Sequence, residues 1–153
     1  MDPYDKEKTR EIWKRVLGDE CREVHATDSE KLRGMIAGAM GTSRVLRAWA
    51  RCGFGDELCR IAEEAQRHSR MLETVYYLWT GHRAAPCRTE LPRYAGMAQM
   101  LRAVHAEMRE GAAACRQAAE ELPEHRGVFC RIAADKDAQA ERLFRLLQRC
   151  IAQ

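Results

Sequence analysis

Apolar residues recur at intervals of three and four along four long stretches of the chain, with polar residues filling the faces between them. That is the period of an amphipathic helix. The first stretch, about 30–52, puts Leu32, Met35, Ile36, Ala39, Leu46 and Trp49 on one side. The second, about 57–80, does so with Leu58, Ile61, Ala65, His68, Leu72, Val75 and Trp79. The third, about 93–122, carries Met97, Met100, Leu101, Val104, Glu107, Gly111, Ala114 and Ala118. The fourth follows the short turn "PEHRG" and runs to about 151, with Ile132, Ala133, Ala140, Leu143, Phe144 and Leu147 in its stripe. "GFGD" breaks the chain after the first helix, with Asp56 placed to cap the second, and Gly81 closes the second.

The turns run short, long, short. The long one, "HRAAPCRTELP", holds two prolines, and at ~3.3 Å per extended residue it spans most of a bundle's length. Two hairpins joined by a lengthwise crossover predict an all-α four-helix bundle whose second and third helices run the same way. An up-and-down bundle needs no such link. Ahead of it, residues 3–18 place Ile12, Trp13, Val16 and Leu17 on one side and stop at Gly18, which predicts a short N-terminal helix. The predicted organisation is therefore 1–28, a helical arm and link, and 29–153, the bundle.

Composition narrows the classes. A chain of 153 residues, 46% hydrophobic and 32% charged, can close one full core, and the small number of prolines favours helix. The net charge is only +3 and the basic residues are spread along the helices, so nucleic acid is not an expected partner. The opening "MDPYDKEK" lacks the apolar run of a secretory signal, and no segment is apolar enough to cross a membrane. A cytoplasmic protein without a membrane partner is expected, with a homodimer left open. Seven cysteines (Cys21, Cys52, Cys59, Cys87, Cys115, Cys130, Cys150) include no C-x-x-C pair, which argues against a zinc ribbon. In a reducing compartment they are expected to be mostly buried thiols. Cys115 with Cys130, and Cys52 with Cys59, flank the two short turns and form the alternative, a thiol pair.

The inward stripes have polar middles. Counting back from the turns at 1.5 Å per residue brings His68, Glu107, Lys136 and Gln139 to one transverse layer. Lys136 is the only lysine after Lys31. A compact ammonium suits a tight layer better than a guanidinium, and Glu107 is its expected partner, with His68 and Gln139 completing the hydrogen bonds. On its own stripe His68 fits a hydrogen-bonded core histidine. Glu63 and Glu64 fit a solvated edge, although Glu64 and His68, four residues apart, are spaced to share a metal.

Three segments carry a family resemblance. "IAEEAQRHSRMLETVYYLWTG", "FCRIAADKDAQAERLFRLL" and "REIWKRVLG" resemble the second helix, the fourth helix and the short leading arm of the ferritin-like superfamily, in its rubrerythrin-type branch. The resemblance implies a bundle built around a di-metal centre of four carboxylates and two histidines, with Glu-x-x-His pairs on two of the helices. Carried over position by position, the first-helix glutamate falls at Ala39 and the second-helix pair at Ala65 and His68. The third-helix glutamate falls at Glu107, the fourth-helix pair at Lys136 and Gln139, and a tyrosine common near the first ligand at Leu46. Only His68 and Glu107 keep the ligand type. The implied protein has a degenerate site, no catalytic residue and no cofactor, and serves as a binding, structural or regulatory bundle. The alternative is a rubrerythrin-like oxidoreductase or peroxidase with iron or another transition metal at a remodelled or mononuclear site of His68, Glu107 and Glu64.

Overall fold

A computed structural model of the chain describes residues 26–86 and 90–153. It contains four long α-helices: α1 (Ala26–Trp49), α2 (Gly55–Thr80), α3 (Met97–Glu121) and α4 (Arg126–Ile151). A short 3-10 turn, Pro123–His125, joins α3 to α4. There is no strand among the described residues. The predicted N-terminal helix at residues 3–18 lies outside them.

The helices pack as two hairpins, α1 with α2 and α3 with α4, which together form a bundle. Side chains join the hairpins: Thr42 on α1 reaches Glu107 on α3, and Glu64 and Glu57 on α2 meet Arg142 and Arg149 on α4. Helix α1 begins and ends a few residues earlier than its stripe suggests, and α3 begins four residues later than position 93.

The α1–α2 turn is not capped as expected. Asp56 lies inside the first turn of α2, and the capping position is Phe54, in the left-handed region at φ 51°, ψ 34° without a side-chain cap. A bulky residue there is strained. Phe54 is held by packing on the core and by the Arg149 guanidinium, 5.0 Å above its ring centre. Gly81 closes α2 as expected, at φ 75°, with its N–H donating to the Tyr77 carbonyl.

The core falls into two clusters. One gathers Leu46, Leu58, Ile61, Met100, Leu101, Val104 and Leu143 toward the α1–α2 turn. The other gathers Leu32, Ile36, Leu72, Val75, Cys115, Phe129 and Ile132 toward the α3–α4 turn. Ala39, Ala65, His68, Lys136 and Gln139 are all buried and belong to neither cluster, so a thin polar layer divides two apolar halves.

The buried stripe of α3 differs from the expected one. It is Met100, Leu101, Val104, Met108, Ala112, Cys115 and Ala119. After Val104 the helix thus buries the residue that follows each expected one. Glu107 and Ala114 are exposed, and Gly111 and Ala118 half-buried. On α4 the exception is Phe144, which is exposed and lies beside His105, with ring centres 6.1 Å apart. The cysteines also depart from expectation. Of the five among the described residues, Cys52, Cys59 and Cys130 are exposed, Cys150 is half-buried and only Cys115 is buried, because most of these thiols sit on outward helical positions; all five are free, and Cys21 and Cys87 lie outside the described residues.

Candidate functional site: the polar layer and its cavity

His68, at 1% exposure, presents Nε2 to Asp135 Oδ2 at 2.9 Å. Burial is the main influence on its imidazole and pulls its pKa below 6.5, while the hydrogen bond to Asp135 works the other way. The neutral ring donates from Nε2 to the carboxylate, which leaves Nδ1 buried without a partner. Gln139 Nε2 donates to Glu64 Oε2 at 2.7 Å, and Arg142 Nη2 donates to the same oxygen at 2.7 Å. Gln139 Oε1 is buried and unpartnered. Glu64 is therefore a half-buried member of the layer, and not a free edge residue.

Lys136 turns inward, at 8% exposure. Among the described residues it makes no hydrogen bond or ion pair, and its route is eased by Gly111. A Cβ built at Gly111 would lie 3.2 Å from each of Cδ, Cε and Nζ of Lys136. Burial lowers the pKa of its ammonium, with Cys115 and then Glu107 acting against that shift. Glu107 sits on the outer wall, where its Oε2 accepts a hydrogen bond from Thr42 Oγ1 at 3.3 Å. The structure thus brings His68 to Asp135 and Gln139 to Glu64, places Lys136 among them, and sets Glu107 apart with Thr42. Thr42 and Arg142 had no place in the sequence-based layer. Thr42 lies three residues after Ala39 on the same face of α1, which is the one local signal that marks it.

Among the described residues no three His, Cys, Asp or Glu side chains converge as a metal cage. No helix among them is long and apolar enough to cross a membrane.

Beside the layer, between α1 and α3, lies a cavity of about 1060 Å³. Its walls are made by small residues: Gly34, Gly38 and Gly41 on α1, and Gly111, Ala114 and Ala118 on α3. A Cβ added at Gly34, Gly38 or Gly41 would meet nothing within 4 Å. Leu32, Leu72, Leu122 and Phe129 line the end toward the α3–α4 turn, and Lys136, Cys115 and Thr42 line the middle.

The fold and site together define a four-helix bundle of two hairpins with an ionised layer at mid-height. The chain matches no protein-family model, no curated protein and no solved structure.

Proposed function

We propose that this chain is a ferritin-like bundle of rubrerythrin type whose di-metal site has been replaced, and that it works as a non-catalytic binding protein. One observation carries the reading. Ala39 and Ala65 are buried at 1% and 0% exposure, and an ammonium, that of Lys136, enters the same layer. Those three positions are where the resemblance puts glutamates. Two metal ions need several anionic oxygens. This layer offers two methyl groups and a cation instead, and the His68 nitrogen nearest its acidic neighbour is already engaged by Asp135. The residues present do not fit a di-metal group.

The chain path supports the same ancestry. Contacts of α4 run in opposite sequence order along α2 (Glu57 to Arg149, His68 to Asp135) and along α3 (His105 beside Phe144, Gly111 beside Lys136). Helices α2 and α3 thus share a direction, as a single lengthwise crossover between them requires.

Elemental analysis of protein purified without chelator or added metal tests the reading. Iron, manganese and zinc should together be substoichiometric per chain. Two tightly held ions, lost together on Glu107→Gln or His68→Gln, would overturn it in favour of a remodelled metal-dependent oxidoreductase.

A further inference from the structure

The α1–α3 cavity has a feature that packing does not explain. A side chain nine-tenths buried, Lys136, ends in a charged group that touches no hydrogen-bond or ion-pair partner among the described residues and borders the cavity. Gly111 eases the access, because a Cβ at that position would press on the lysine's last three atoms at 3.2 Å.

We propose that this cavity binds a single-chain apolar carboxylate, with the carboxylate on Lys136 Nζ and the tail directed along α3 toward Leu122 and Phe129. The proposal stands whether or not the bundle descends from a metal protein.

Three observations select this ligand class. The first is sign. No carboxylate pairs with the ammonium: Glu107 is exposed and engaged by Thr42, Asp135 faces His68, and Glu64 is held by Arg142 and Gln139. The Cys115 thiol, pushed up to about 11 by burial, supplies no negative charge at neutral pH. An anion brought to Nζ therefore meets a charge whose partner is missing, where a charge-assisted hydrogen bond is strongest. The other carboxylates of the lining stand at the rim: Glu90, Glu107, Glu110 and Glu121 are exposed, hydrated and screened by salt, Glu121 being paired with Lys31, and Asp28 is half-buried at the far end.

The second observation is the character of the rest of the space. Beyond Lys136 the inner walls are glycine, alanine, leucine and phenylalanine, which suit methylenes, while Lys31, Gln117 and Glu121 line only the exposed edge and Asp28 is half-buried at that end. The third is length. The step along α3 from Gly111 to Leu122 is ~16 Å at 1.5 Å per residue, room for a tail of roughly a dozen carbons.

Calorimetry on the full chain with dodecanoate, octanoate and the uncharged dodecanol tests this. Wild type should bind dodecanoate about tenfold or more tighter than dodecanol, the margin expected of a hydrogen bond to a charged group. Affinity should rise roughly fourfold per methylene from octanoate onward. Lys136→Met should erase the preference for the carboxylate and leave dodecanol unaffected. Gly38→Leu, which adds a side chain into open space on a helix, should weaken both ligands while preserving the fold. Equal affinity for dodecanoate and dodecanol, or an unchanged preference in Lys136→Met, would overturn the proposal. So would the absence of saturable binding below the micelle-forming concentration, the result expected if residues 1–25 or a second copy of the chain fill the groove.

Discussion

Replacing Lys136 by methionine should stabilise the bundle. The side chain is 8% exposed, and among the described residues its ammonium has no hydrogen-bond or ion-pair partner. A fully buried and unpaired ion costs several kcal/mol, but this one borders a cavity, so the relevant part is about 1–3 kcal/mol. Methionine keeps most of the stem that packs over Gly111 and removes the charge. Urea denaturation at pH 7 should therefore show Lys136→Met more stable than wild type by that amount. The difference must also depend on pH with a definite sign. Burial lowers the pKa of the folded lysine from its ordinary 10.5. Below the lowered value the penalty is fully present. As pH rises through it the folded chain sheds its proton before the unfolded chain does, so wild-type stability climbs. Above 10.5 the penalty is gone and the two proteins should converge. The competing idea, a buried Lys136–Glu107 pair, predicts the opposite: Lys136→Met would then lose about 3–5 kcal/mol by stranding the carboxylate. A destabilised Lys136→Met would refute the argument. So would a coupling energy with Glu107→Leu well above ~0.5 kcal/mol in a double-mutant cycle.

Two further outcomes follow from the same layer. His68, whose pKa is lowered by burial, should make the bundle sensitive to acid: below pH 6.5 the unfolded imidazole takes up a proton that the folded one resists, so stability falls with pH. Melting curves from pH 7.5 to 5 should show that slope in wild type and a flatter one in His68→Gln; equal slopes would remove His68 as the source. The thiols should divide by burial, with Cys52, Cys59 and Cys130 labelled by a maleimide at pH 7.5 well before Cys115, whose pKa is pushed up to about 11. Peptide mapping checks the order, and labelling of Cys115 at the rate of Cys130 would contradict it.

The local pattern of this chain determined a good deal. Repeats of three and four specify a helix and its inward face because each residue turns the chain by a fixed angle. That is why four helices, the break at Gly53–Gly55, the stop at Gly81 and the inward turn of Lys136 and Gln139 are all legible in the sequence. On α4 the apolar neighbours Ile132, Ala133, Ala140 and Leu143 leave one choice of face.

On α3 they do not. After Val104, a step of three gives Glu107, Gly111, Ala114 and Ala118; a step of four gives Met108, Ala112, Cys115 and Ala119. Both rows are small or apolar enough to face a core. The periodicity cannot rank two rows one residue apart, and packing against α4 decided it. Burying the second row put Met108 and Cys115 inside, and sent Glu107 to the wall with Thr42. The partners of the polar layer were beyond the sequence for a related reason. His68 and Asp135, or Glu64 and Gln139, are brought within hydrogen-bond distance by the relative rotation of two helices far apart in the chain. The cavity depends on still less local a quantity, the separation of α1 from α3. Glycines at 34, 38 and 41 permit a close approach as readily as an open groove. Only the tertiary arrangement left that space open beside Lys136.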